Sequence, residues 1–239
     1  MKRKISLFFV LMTINVIASA QQYLIDSFEL KGTGKQYGIY TSISTESGGL
    51  SLFIDMEAPN LNQEVQLRMP FGASSGLNST LDGFKKSLIN AKQVFAEWKK
   101  TAESNSFGLM KKKMPTKIND QNIYFTEEGR WFSETGVDMW FSFFVNSKGQ
   151  CYLLLESDYM TSDEVVAHSS SIGISFVGLL TNNPLIGIGN SSSTTTVERY
   201  CSGASLLFAS EDEIDNFIKK IDQVIEWKLK LIENGKQLK

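Results

Sequence analysis

The chain has 239 residues, with 24 Lys and Arg against 26 Asp and Glu, for a formal net charge of −2. A slightly acidic chain is a poor candidate for nucleic-acid binding, which depends on neutralising phosphates, so no nucleic-acid partner is expected. Two cysteines and one histidine give too few soft ligands for a zinc centre, and no metal or other cofactor is expected.

Three cations (Lys2, Arg3, Lys4) precede a mostly apolar run over residues 5–17, and Ala18-Ser19-Ala20 places small residues where a signal peptidase reads. This pattern predicts a cleaved export signal over residues 1–20, with an uncleaved anchor as the alternative. The run is short for a membrane span, and no other segment reaches the ~18 apolar residues a spanning helix needs. The mature protein is therefore expected in the periplasm or outside the cell, without a transmembrane helix.

Four segments with period-2 alternation follow, over residues 23–30, 37–43, 50–56 and 64–69, separated by Gly32-Thr33-Gly34, Gly48-Gly49 and residues 57–63. They predict an antiparallel meander with one face buried, closed by Pro70-Phe71-Gly72. Gly32-Thr33-Gly34 opens no helix and lacks the rest of a dinucleotide fingerprint, so it reads as a turn. The period then changes. Leu81, Phe84, Leu88, Ala91, Phe95 and Trp98 fall on one stripe of a helix, with Ser79 and Asp82 offering an N-cap. Residues 21–108 thus form a meander plus a helix.

Residues 109–239 read as a β-rich unit with a C-terminal helix, either separate from the first or joined to it in one compact domain. Asn105 to Met114, with Lys111, Lys112 and Lys113, reads as a solvated linker. Strands are expected at 123–125 and 130–134. Residues 139–145 and 151–155, apolar on both faces and separated by Asn146-Ser147-Lys148-Gly149, predict a centrally buried hairpin. A second helix opens with the capping box of Ser210 and Glu213. Ile214, Phe217, Ile218, Ile221, Val224, Ile225 and Leu231 make its broad apolar face, Lys228 and Lys230 fall in its last turns, and it stops at Asn234-Gly235. The two helices align with Phe84 on Ile214, Leu88 on Ile218 and Ala91 on Ile221, which allows a duplicated strands-then-helix unit. The fold class is α+β, antiparallel sheet covered by two long amphipathic helices.

Chemistry has no strong claimant. In an oxidising compartment Cys151 and Cys201 pair most simply as a disulfide, and closing a loop of about 50 residues would contribute about 4 kcal/mol. Two reduced, buried thiols are the alternative. His168 has no nucleophile elbow near it in the sequence. Glu156 and Asp158 sit two apart at the end of a strand, where period 2 would align both carboxylates as a glycosidase needs, although a strand running into a charged loop explains them more simply. The segment 172–189 has two apolar arms with interspersed glycines around a Thr181-Asn182-Asn183-Pro184 turn, between hydroxyl-rich flanks. It reads as a hairpin finishing the sheet, or as a mobile hairpin offering an apolar surface on Ser/Thr hinges. The leading expectation is an exported, non-enzymatic binding or interaction protein, with an unidentified protein, glycan or envelope surface as partner. The alternatives are a hydrolase of glycan or peptide and a structural component of the cell envelope.

Overall fold

A computed structural model of the chain describes residues 22–42, 50–71, 78–169 and 192–237. The expected signal and the 172–189 hairpin lie outside them. The elements run β1 (Gln22–Leu30), β2 (Lys35–Ser42), β3 (Leu50–Met56), β4 (Val65–Phe71), α1 (Asn78–Ser104), β5 (Met110–Glu127), β6 (Arg130–Val145), β7 (Cys151–Ser157), β8 (Met160–Ser169), β9 (Ser192–Cys201), β10 (Ser205–Phe208) and α2 (Glu211–Gln237). The class is α+β. One antiparallel sheet of eight strands has the order β1-β2-β3-β4-β5-β6-β7-β10, and β8 and β9 form a separate two-stranded ribbon. The β4–β5 ladder carries the sheet across the chain on either side of α1, with Val65 opposite Phe125 and Leu67 opposite Ile123.

The meander forms where alternation places it. In β3, Leu52 and Ile54 are fully buried, and Leu67 and Met69 lie opposite them or diagonally across β4. The hairpin of β6 and β7 also forms, in register from Met139 opposite Ser157 to Val145 opposite Cys151, and both strands are interior to the sheet. The lysine-rich segment departs from expectation. Met110, Lys111, Lys112 and Lys113 are not a linker but the first residues of β5, paired to Val145, Phe144, Phe143 and Ser142 of β6. The strongly apolar partner strand recruits them, and their long stems run over aromatic faces while the charges stay in water. The Lys112 Nζ lies 4.6 Å from the Trp98 ring centre and the Lys113 Nζ 3.8 Å from that of Trp140. The expected short strands at 123–125 and 130–134 are parts of these long strands, whose ladder shifts register three times between Lys113 and Ile123.

The sheet curls back on itself. Beyond the end of β3, Glu57 exchanges two backbone hydrogen bonds of 2.8 Å with Ser205 of β10, the strand at the far edge. The β1–β2 turn rests on the same region, because a Cβ at Gly32 would sit 3.1 Å from the Tyr152 ring. A side chain there would require the Tyr152 ring to give by a few tenths of an ångström.

Helix α1 starts at Asn78, so the expected cap residue Ser79 lies inside the helix. Its stripe of Leu81, Phe84, Leu88, Ala91 and Phe95 is buried, with Phe95 and Trp98 each 5.9 Å from the Phe143 ring. On α2, Phe217 meets Phe28, Phe84 and Phe208. The helices run antiparallel, joined by Lys85–Asp222 at 2.8 Å, Lys92–Asp215 at 2.5 Å and Lys99–Glu211 at 3.6 Å. These lysines recur every seventh residue and so share one face. The Ser210 hydroxyl accepts the Glu213 N–H at 3.2 Å, as a capping box requires. The Glu213 carboxylate reaches past Ser210, accepting the N–H of Ala209 at 2.8 Å and of Lys31 at 3.1 Å, and so ties the helix start to the β1–β2 turn. The expected stop at Asn234-Gly235 is overrun, and α2 continues to Gln237.

The ribbon of β8 and β9 pairs ten residues, from Met160 opposite Cys201 to Ser169 opposite Ser192. Thr194, Thr195 and Thr196 are thus paired strand, not the polar hinge expected of the hydroxyl-rich flank. At its base Arg199 donates to Glu164 at 2.9 Å and to Glu128 at 3.0 Å, and Arg130 of β6 grips Glu164 from the other side. This network fixes the ribbon to the β5–β6 end of the sheet.

Candidate functional site

Strand β1 is a sheet edge, and an unprotected edge invites pairing with another chain. The ladder with β2 skips one residue at Ile25, between Leu24 opposite Tyr40 and Asp26 opposite Ile39. Such a bulge bends a strand and re-aims its side chains. Just past it, the Lys220 ammonium of α2 donates to both Asp26 carboxylate oxygens at 2.9 Å and to the Ser27 carbonyl at 2.5 Å. The Ser27 N–H is in turn accepted by Asp26 at 2.7 Å. The outward-facing backbone groups of Ser27 are therefore occupied, and the edge is blocked at its middle. Burial pushes the Asp26 carboxyl up, but the Lys220 ammonium and the Ser27 N–H outweigh it and hold it below its ordinary value.

Beyond this clamp, toward the C-terminal end of α2, the helix and the first two strands enclose a groove of about 560 Å³. Leu24, Ile25 and Asp26 line it from β1, Thr41 from β2, and Gln223, Val224, Trp227, Lys228 and Leu231 from α2. Three of these are large apolar side chains left in water, Leu24 at 61 %, Trp227 at 45 % and Leu231 at 47 % exposure. Two others are polar groups left without partners. Thr41 is 1 % exposed, and its hydroxyl oxygen makes no hydrogen bond among the described residues. Lys228 is 8 % exposed and has neither an ion pair nor a hydrogen bond among the described residues. Burial lowers the pKa of its ammonium. Buried polar groups are normally satisfied, and a buried cation is normally paired. Here both exceptions face one groove.

The residues singled out from the sequence do not converge there. Glu156 lies on β7 with its carboxylate engaged three times: by the Trp140 indole N–H at 3.0 Å, the Ser142 hydroxyl at 2.8 Å and the Lys111 ammonium at 2.6 Å. Asp158 follows the end of β7 and is exposed, so the alternation that would align the two carboxylates stops at Ser157. His168 lies on β8 opposite Ser193. Cys151 and Cys201 are both buried and both free, so the expected disulfide is not formed. The physical reason is placement. Cys151 opens β7, whereas Cys201 sits opposite Met160, just past the other end of that strand. Six residues of extended chain separate those ends by about 20 Å, far beyond the reach of a bridge. Burial raises the pKa of both thiols, which disfavours the reactive thiolate.

The chain matches no family model, no curated protein and no solved structure. The site rests on its own geometry.

Sequence reading missed all of the groove's polar residues, and Lys228 it misplaced. Assigned to the last turns of the helix as a cation suited to the dipole, Lys228 lies nine residues before the end of α2, on the apolar stripe. The signal was present. Stepping by four from Val224, itself three beyond Ile221, lands on Lys228, so the apolar period is interrupted there by a charge.

Proposed function

We propose that this protein is an exported, non-enzymatic binding protein, and that the groove between α2 and the β1–β2 pair is where it takes an apolar small ligand. The observation that carries the reading is the convergence of Leu24, Trp227 and Leu231, all solvent-exposed, on one concave surface. Scattered exposed apolar side chains are ordinary, but a cluster lining a groove marks contact. Its volume is within the range of small-molecule sites. The three-part N-terminal pattern supports export to the periplasm or the medium. We read the scaffold as one sheet covered by two long helices, with the groove on the second helix.

The hydrolase alternative would rest on Glu156, whose carboxylate is already taken by Trp140, Ser142 and Lys111. A structural role in the envelope draws on no particular site. The test is fluorescence titration of the purified protein with the neutral apolar probe N-phenyl-1-naphthylamine. Saturable binding by the parent protein is expected, with loss in Trp227→Ala and in Leu24→Ser. Binding unchanged in both variants would place the ligand elsewhere. Polysaccharide or peptide turnover that Glu156→Gln abolishes would replace this reading with the hydrolase.

A further inference from the structure

The two unpartnered groups define what sort of apolar ligand the groove fits. The buried positions of the two helices match in a register three residues away from the one the sequence alignment gave, and in it Lys228 stands on α2 where Phe95 stands on α1. Stepping back from each, Val224, Ile221, Phe217 and Ile214 match Ala91, Leu88, Phe84 and Leu81, and every one is buried. An apolar residue would satisfy the packing at that position, as it does in α1. A lysine there has a partly desolvated charge and no counter-charge among the described residues, an arrangement that lowers stability unless something else supplies the anion. Asp26 is the only carboxylate lining the groove among the described residues, and Lys220 already holds both of its oxygens. The groove therefore presents one uncompensated positive charge. The Thr41 hydroxyl, which lines the same groove, is a second buried donor with no acceptor among the described residues.

Resting on the reading of the groove as a binding site, we propose that its ligand is a monoanionic amphiphile, a long-chain carboxylate, with its head between Lys228 and Thr41 and its alkyl chain along Trp227, Leu231 and Leu24. Donor count and charge favour this class over its neighbours. A single ammonium balances a single negative charge, whereas a phosphate monoester, nearly dianionic at neutral pH, would need a second free cation that the lining does not supply. A neutral alcohol would leave the ammonium uncompensated. The apolar rim takes the chain, since exposed apolar area there is removed from water when it binds.

The decisive experiment is calorimetric titration of the protein, purified after export from a host making the full-length chain, with dodecanoate, dodecanol and dodecyl phosphate below their micellar concentrations at one ionic strength. The expected result is that dodecanoate binds about tenfold or more tighter than dodecanol, as a charge-assisted hydrogen bond implies. Lys228→Met should remove that preference, bringing the dodecanoate affinity down to that of dodecanol. Thr41→Val, which keeps the charge, should weaken dodecanoate severalfold and serves where Lys228→Met does not fold. Equal binding of dodecanoate and dodecanol, or a preference that survives Lys228→Met, would overturn the carboxylate assignment while the apolar groove stands. Tighter binding of dodecyl phosphate would overturn the monoanion argument in the same way. If no dodecyl compound binds, the groove reading and this inference both fall.

Discussion

Lys228 shows how one residue can be poor for the fold and good for a site. Its stem packs on the apolar side of α2, while its ammonium is desolvated without a partner among the described residues. Lys228→Met keeps the stem's volume and removes the charge, so it is expected to stabilise the unliganded protein by about 0.5–2 kcal/mol. The pH dependence follows from the sign of the shift. The folded-state pKa lies below the ordinary 10.5, so between the two values the unfolded chain holds a proton that the folded chain has lost. The destabilisation is full below the folded-state pKa and lifts as pH rises from there toward 10.5, and the gap between parent and variant should close over that range. Asp26, the other charged lining residue, is already ionised there and paired with Lys220. Urea titrations at stepped pH measure the gap, and a gap that stays constant would mean the ammonium is not desolvated. Tyr40 provides a second marker at this scale. Burial first, then the Asp55 carboxylate that accepts its hydroxyl at 3.0 Å, pushes its phenol up to about 12.

At the scale of elements, the helices were the most legible part of the sequence and β5 the least. Leu81, Phe84, Leu88, Ala91, Phe95 and Trp98 were picked by spacing alone; the first five are buried and Trp98 packs partly buried against the core. Their period is a property of one segment and can be counted without knowing what the helix packs on. Phe95 is fully buried beside Phe143, so Phe95→Ala is expected to cost about 3–5 kcal/mol. An unchanged denaturation midpoint would remove the stripe from the core. By contrast, three consecutive lysines carry no strand signal of their own. Lys111, Lys112 and Lys113 are strand because β6 lies beside them, and a partner from elsewhere in the chain cannot be read in a local window. The same reason hid the groove. Thr41 and Lys228 come from opposite ends of the chain, and neither is unusual until β2 and α2 are set side by side.

For the whole molecule, the sheet's dimensions decide what the cysteines can do. With one thiol at each end of β7, they report on the sheet as two separate buried probes. Alkylation of the denatured, unreduced protein should modify both, and mass spectrometry that finds both protected would place them in a bridge and contradict the strand pairing. The class was legible because alternation gave strands and three-and-four spacing gave helices. The curl of the sheet was not, since it depends on a single backbone contact between Glu57 and Ser205.

That contact has a kinetic meaning. Each neighbouring pair from β1 to β4, and again from β5 to β7, can zip as soon as its second strand is made, because the connecting loops are short and closing them costs little entropy. The Ser205 hydroxyl and the Glu57 carbonyl it approaches are 148 residues apart in sequence. A chain that emerges N-terminus first therefore holds most of its strands in an open, unsealed sheet until β10 arrives. α2 comes directly after β10, so the groove is the last part of the molecule to exist. On the binding reading proposed above, a nascent chain could not capture ligand before its fold is closed.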